Sequence, residues 1–292
     1  MKLTDIWKTK GKPTVSFELF PARNDKAAEK LEKVIDKLAS LKPDFVSVTF
    51  GAGGSTRQGS YELVKKLKKD KRLEVLPYFA GFGLGQDDIL SVVGAYRDLG
   101  CESLLAVRGD PPEEESFKSH PQSYIHASEL IRFLKQRFEL CLGAAGYPEG
   151  HKEAESKESD VDYLKQKVAN GASFVITQYF YDNSYFVGFM DRCRKAGITV
   201  PVVPGVMPIF SLKMMESLSA LCGATITPEV RGGIRALPEE DEDALDRFGI
   251  DLATQQCREL LKAGAPGIHI YTLDRAKSAE AIVTNLRNDG LL

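Results

Sequence analysis

The run TVSFELFPARNDKAAEKLEKVIDKLASL, residues 14–41, decides the fold class. Its first seven residues alternate β-branched and aromatic side chains with polar ones, which predicts a strand over 14–20. From Asp25 the apolar residues fall at helical spacing on one face, and the segment closes at Leu41 with Lys42 and Pro43 behind it, which predicts a helix over 25–41. The turn between them reads LFPARND. An open doubly wound sheet that cradles a dinucleotide carries G-x-G-x-x-G at that place, and none is present.

The same strand-then-helix unit repeats outward from this segment. Strand candidates are FVSVTF (45–50), EVLPYFA (74–80), SLLAVRG (103–109), LCLGAAGY (140–147), FVITQYF (174–180), VPVVPGVM (200–207) and GIHIYTL (267–273). With TVSFELF they make eight. Between them, SYELVKKLKKD, DDILSVVGAYRDLG, ASELIRFLKQRF, DVDYLKQKVANG and SYFVGFMDRCRKAG read as amphipathic helices, several ending in a Gly that suits a left-handed cap. Eight strands alternating with helices predict a single-domain (β/α)8 TIM barrel over residues 1–292. The gap before the last strand is longer and is expected to hold two helices around PEEDEDALDRFGIDLATQQCRELLKAG. The acidic, proline-rich DPPEEESFKSHPQS (110–123) reads as an exposed loop, because the strand–helix rhythm resumes directly after it.

Composition narrows the function classes. The chain has 292 residues, 43% hydrophobic and 27% charged, enough apolar side chains for a sizeable core. Its 39 Lys and Arg balance 41 Asp and Glu, so there is no general pull toward nucleic acid or anionic membrane. Apolar stretches such as TVPVVPGVMPIF (199–210) are broken by prolines and too short to span a bilayer, and the N-terminus has no continuous apolar signal segment. The five cysteines are odd in number and none forms C-x-x-C, which argues against a disulfide framework or structural zinc. The expectation is a cytoplasmic protein. The four histidines lack ligand spacing, so no metal site is expected.

In a (β/α)8 barrel, chemistry sits where the strands end. Glu18 is the sharpest feature there, since a carboxylate inside the apolar run VSFELF is costly unless paired or protonated. Alternation puts Ser16, Glu18 and Phe20 on one face, Phe17 and Leu19 on the other. It reads either as an ion-paired structural carboxylate or edge-strand charge, or as an acid kept partly protonated and suited to proton donation. Arg108-Gly109-Asp110 reads either as a turn with a surface ion pair or as a donor and acceptor set for a pyrimidine-like ring edge. GAGGSTR (51–57) reads as a glycine-rich approach for a phosphate or flat ring, or as a plain loop. Asp160 and Lys167, seven apart on one helix face, read on their own as surface residues.

Taken together, VSFELFP, SVTFGA, RGDPP, AAGYPEGH, VITQYFYD, PGVMPI and IYTLDRA closely resemble the methylenetetrahydrofolate reductase family, in order from about residue 13 to 280. The resemblance implies a flavin-containing (β/α)8 barrel that reduces 5,10-methylenetetrahydrofolate to 5-methyltetrahydrofolate, in a short form consisting of the catalytic barrel with no C-terminal regulatory domain. It implies Glu18 as general acid and Asp110 as an anion beside both flavin and pterin. Gln178 and Arg275 match folate-contacting positions. Thr49, Phe50, Ala52, Arg108, Gly109, Ala127, Tyr147, His151, Ala154, Asp160 and Lys167 match FAD-contacting positions, Asp160 toward sugar hydroxyls and Lys167 toward the diphosphate. Tyr78 takes the place of a histidine that usually touches flavin. His126 stands where Tyr is common, and Met214 where a substrate-contacting Gln is frequent. The implied reductant is NADH or NADPH, with an electron-transfer partner protein as the alternative for a variant site, and a homo-oligomer is implied. Two other functions remain open from sequence: a folate-barrel reductase without FAD, and a non-catalytic folate-binding subunit of a larger complex.

Overall fold

The structure is a computed structural model that describes residues 1–51, 54–110, 117–238 and 241–292, with only the backbone described at 54–56. Eight parallel strands close into one barrel in sequence order: β1 (Thr14–Leu19), β2 (Phe45–Val48), β3 (Val75–Ala80), β4 (Ser103–Val107), β5 (Cys141–Gly146), β6 (Ala172–Tyr179), β7 (Val202–Val206) and β8 (Gly267–Tyr271). β8 pairs with β1, Ser16 opposite His269 and Glu18 opposite Tyr271, so no edge is left open.

The helices form the outer shell: α2 (Asp25–Ser40), α3 (Gly54–Lys69), α4 (Gln86–Asp98), α5 (Ala127–Lys135), α6 (Lys157–Ala169), α7 (Asn183–Lys195), α8 (Leu212–Cys222), α9 (Pro228–Arg235), α10 (Glu242–Lys262) and α11 (Ala276–Asn288). α1 (Leu3–Thr9) precedes the barrel. The interval between β7 and β8 thus holds three helices, not the two expected from sequence. α9 is eight residues long with two internal glycines, and helical periodicity is hard to read over so short a span.

Strand alternation divides the packing in two. Outward-facing Phe17, Leu19, Val46 and Val48 pack with Leu31, Ile35 and Leu38 of α2 in the main core between strands and helices. Inward-facing Phe45, Leu76, Leu105, Phe174, Ile176 and Val203 fill the lower lumen, and Leu3, Ile6 and Trp7 of α1 pack against them as a stopper at the N-terminal end. The lumen is apolar at the bottom. Moving up the strands, its inward positions become Ser16, Ser47 and His269, all fully buried, and then Glu18, Tyr78 and Tyr271. That change of chemistry along the barrel axis places the site at the C-terminal rim.

Candidate active site

Glu18 lies one residue from the end of β1, 5% exposed, with its carboxyl in the lumen as alternation required. Burial is the dominant influence and pushes its pKa up to about 8; a hydrogen bond with Tyr78 pulls the other way, and the neighbouring Asp274 adds a smaller push upward. No salt-bridge partner lies beside it among the described residues. The ion-paired reading thus finds no partner among the described residues, and the closed barrel leaves no edge strand for the edge-charge reading.

The groups around Glu18 arrive from three strands. Tyr78 projects from β3, and its hydroxyl is 3.2 Å from Nε2 of His269 and accepts from Ser47 Oγ at 3.4 Å. His269 is wholly buried, and burial pushes its pKa down to about 3, so its ring is neutral. Tyr271 crosses the lumen to donate from its hydroxyl to the Thr177 carbonyl at 2.7 Å. That path exists because residue 205 is Gly: a Cβ there would sit 2.4 Å from the Tyr271 ring and 2.3 Å from the Thr177 carbonyl oxygen.

Beside this acid, Thr49, Phe50, Tyr78, Ala80, Gly109 and Asp110 line a cleft of 290 Å³. Gly109 has φ +84, and a Cβ at that position would fall 2.8 Å from Ala80 Cβ, so both the turn and its close approach to β3 need glycine. Asp110 is at the mouth with its side chain 92% exposed and 3.8 Å from Arg108. Ala52, the remaining expected contact of the glycine-rich loop, lies outside the described residues, as do Pro111 and Pro112.

A second group assembles on the loops after β4 and β5. Arg108 grips Glu153 through two hydrogen bonds of 2.6 and 2.9 Å, which holds the Glu153 carboxyl down at about 2. Tyr147 packs edge-on against His151 with centroids 4.6 Å apart, and burial pushes its hydroxyl up to about 12. The His151 carbonyl accepts from the amide of Ala154 at 2.9 Å, which closes the loop into α6. Asp160 is 6% exposed on α6, and half-buried Lys167 donates to the Ala145 carbonyl at 3.2 Å while lying 5.8 Å from the centre of the Tyr147 ring. Desolvation raises the carboxyl of Asp160 and lowers the amine of Lys167, each partly offset by the other's charge. The surface reading of this pair fails because α6 turns both inward. Ala127, buried as the first residue of α5, sits nearby in sequence order between β4 and β5.

The two expected folate contacts are not drawn to Glu18. Gln178 lies on the lumen side of β6, and its Oε1 accepts from the next residue's amide at 3.0 Å. Arg275 is exposed, with its guanidinium 5.2 Å from the Phe210 ring. Sequence reading assigned no role to His269 or Asp274. The signal for His269 was its place two residues before Tyr271 on the last strand; Asp274 stood within IYTLDRA, at the end of that strand, without a role of its own. Leu273 and Asp274 both adopt left-handed backbone, φ 47 and 55, and this tight strap aims Asp274 Oδ1 at the Phe20 amide, 3.1 Å away. A larger cavity of 920 Å³ opens at the opposite end of the barrel, between Trp7, Lys135, Phe186 and Pro266, away from every group described above. Among the described residues, no three His, Cys, Asp or Glu side chains gather as a metal site, and no helix is long and apolar enough to cross a membrane.

A family profile described as "Methylenetetrahydrofolate reductase" matches residues 2–287. The Arabidopsis thaliana protein named "Methylenetetrahydrofolate reductase (NADH) 1" is 33% identical over 301 residues, covering 98% of this chain and 51% of that protein. The Escherichia coli (strain K12) "5,10-methylenetetrahydrofolate reductase" is 33% identical over 276 residues, covering 94% of this chain and 91% of its own. The chain thus spans about half the length of the plant relatives it matches. Among solved structures, an uncharacterized Clostridium thermocellum protein that binds two copies of 5-methyl-5,6,7,8-tetrahydrofolic acid superposes with TM-score 0.66 at 16% identity, over 98% of both chains. Dihydropteroate synthase from Xanthomonas albilineans superposes with TM-score 0.52 at 15% identity, over 97% of this chain and 95% of that one. At those identities the two structures share the fold.

Proposed function

The chain belongs to the methylenetetrahydrofolate reductase family, and on that premise we propose that it reduces 5,10-methylenetetrahydrofolate to 5-methyltetrahydrofolate with FAD as cofactor and Glu18 as general acid. One observation carries the reading: a carboxyl with no cationic partner among the described residues, buried at the rim of the barrel, where burial pushes its pKa up to about 8. Such a group costs stability wherever it serves only structure. It is suited to give a proton to a substrate nitrogen.

Protonation of N10 by Glu18 opens the five-membered ring of the substrate and leaves a cationic iminium at N5. The proton leaves Oε of Glu18 with no other change in bonding on the protein. Asp110 lies at the mouth of the cleft, and an anion at position 110 favours a cation once a bound ring excludes water from it. In this proposal Gln178 and Arg275 turn to the pterin and its tail when substrate enters.

The donor set fits FAD. Thr49, Phe50, Tyr78 and Gly109 offer a narrow cleft for a flat ring, Arg108 and the Gly109 amide suit its pyrimidine edge, and Lys167 is a half-buried amine bonded to a single carbonyl. Asp160 would meet sugar hydroxyls, with Tyr147, His151, Ala127, Ala154 and Ala52 shaping the rest of the groove. When bound, FAD would supply the hydride for the one-carbon unit. NADH or NADPH is the proposed reductant, in keeping with the plant relatives whose names specify NADH.

The test separates two half-reactions. Anaerobic stopped-flow at flavin wavelengths, with NADH, NADPH and reduced ferredoxin in turn, identifies cofactor and donor. Glu18→Gln is expected to retain flavin reduction and to slow reoxidation by methylenetetrahydrofolate by about a hundredfold or more. Equal loss in both halves would remove Glu18 from the acid role, and protein that cannot be loaded with FAD would remove the cofactor.

A further inference from the structure

We propose that Tyr78 is a positioning residue whose hydroxyl reverses its hydrogen bond as Glu18 gives up its proton, turning from His269 to the new carboxylate, with Ser47 taking its place at the histidine. The inference rests on the reading of Glu18 as an acid, and it assigns work to Ser16, Ser47 and His269, three buried groups that the reaction so far leaves unused.

The direction of each hydrogen bond is set from Ser16, whose hydroxyl the proposal takes as donor to the Ile268 carbonyl. Ser16 Oγ lies 3.3 Å from the Ile268 carbonyl oxygen, which can only accept, so the serine proton is directed there. Ser16 Oγ therefore accepts at its other contact, 2.8 Å from Nδ1 of His269. Nδ1 carries the hydrogen. With the ring neutral in its buried position, Nε2 has none and must accept. Two hydroxyls stand within reach of Nε2, Tyr78 at 3.2 Å and Ser47 at 3.3 Å, and Ser47 is also 3.4 Å from the Tyr78 oxygen.

Glu18 then decides which hydroxyl serves. While its carboxyl is protonated it is a donor, and the Tyr78 oxygen beside it accepts. Tyr78 is thereby left to donate to Nε2, and Ser47 donates to Tyr78. Once the proton has gone to the substrate, the carboxylate can only accept. Tyr78 swings its O–H to Glu18, and Ser47 fills the vacated place at Nε2. Every donor and acceptor is matched in both states, and two hydroxyl rotations connect them. No covalent bond on the protein other than the departing O–H is altered. The new hydrogen bond exists only as negative charge develops on Glu18, so it favours the transition state over the resting acid.

Two measurements on the protein without substrate test this. Infrared titration follows the C=O stretch of a protonated buried carboxyl, identified as Glu18 by its loss in Glu18→Gln. In Tyr78→Phe, which keeps the ring, the midpoint of that band is expected to rise by about one pH unit, a tenfold weaker acid. An unchanged or lowered midpoint would overturn the proposal. Nitrogen NMR of the wild-type protein is expected to show His269 as the Nδ1–H tautomer, and the Nε2–H tautomer would overturn it without any variant. In the loaded protein, Tyr78→Phe is expected to slow the folate half-reaction by about tenfold or more. If Glu18→Gln leaves that half-reaction untouched, the acid assignment itself falls; if only Tyr78→Phe is silent, the acid stands and the switch falls.

Discussion

Asp274 and Tyr78 act on the same carboxyl in opposite senses. Tyr78 offers a hydrogen bond that stabilises the ionised form of Glu18, whereas Asp274 is a second carboxylate that opposes it. Burial lifts Asp274 to about 6, against the pull of the Phe20 amide, so it carries its charge throughout the neutral range. Asp274→Asn keeps an oxygen for the Phe20 amide and removes only the charge. Its expected effect is a downward shift in the pH at which Glu18 titrates and in the alkaline limb of the folate half-reaction, with stability little changed; an upward shift would show that Asp274 acts through structure and not through its field. Glu18 was legible in the sequence because a carboxylate inside VSFELF breaks the apolar pattern of its own strand. Asp274 stood in the IYTLDRA motif, but neither its role nor that of His269 was legible. What makes them matter is register, Ser16 against His269 and Glu18 against Tyr271 across 253 residues of chain, and no local pattern encodes a pairing at that distance. Asp110 shows the converse: its motif stood out in the sequence, yet its side chain is nearly all in water until something covers the cleft.

The strands were readable as elements because each is buried on both faces and so appears as a short β-branched or aromatic run. The shell helices were readable because α2 and α5 each bury one stripe and expose the other. α1 escaped notice for a physical reason: seven residues make fewer than two full turns, too few to display a period. Its role is nonetheless considerable. Leu3 is 0% exposed, its amide donates to Ser103 Oγ at 3.0 Å, and Trp7 binds Thr14 Oγ1 from its indole nitrogen at 3.0 Å while packing on Phe174. The helix seals the apolar lower lumen against water entering from below. Leu3→Ala, by leaving a cavity beneath Phe45 and Leu76, is expected to destabilise the fold by about 3 kcal/mol in a urea titration. Because the stopper lies at the far end of the barrel, the Glu18 infrared midpoint is expected to stay where it is. A loss below about 1 kcal/mol would mean that α1 rests on the barrel without closing it.

Holding a protonated acid in the barrel affects the stability of the whole molecule, and the sign is fixed by linkage. Glu18 titrates near 4.5 in an unfolded chain and at about 8 when folded, so between those values the folded state binds the extra proton and stability falls as pH rises. Asp274, raised to about 6, acts in the same direction at lower pH. His269 acts oppositely: its pKa drops from 6.5 to about 3 on folding, the unfolded chain binds the extra proton, and stability rises with pH up to about 6.5. Between about pH 6.5 and 8 the remaining changes from His269 and Asp274 are small and opposite in sign, and among these three groups Glu18 dominates. Over that interval its buried carboxyl is expected to cost the native state about 2 kcal/mol, at roughly 1.4 kcal/mol for each pH unit. Glu18→Gln removes the titrating group while nearly preserving its shape. The variant is therefore expected to hold a level stability from pH 6.5 to 8 where the wild type declines, and to exceed it at pH 8, as read from denaturant midpoints in matched buffers. Parallel declines in both proteins would place the lost proton elsewhere. A variant gaining stability as it loses the folate half-reaction would identify Glu18 as a group retained for chemistry at the expense of the fold.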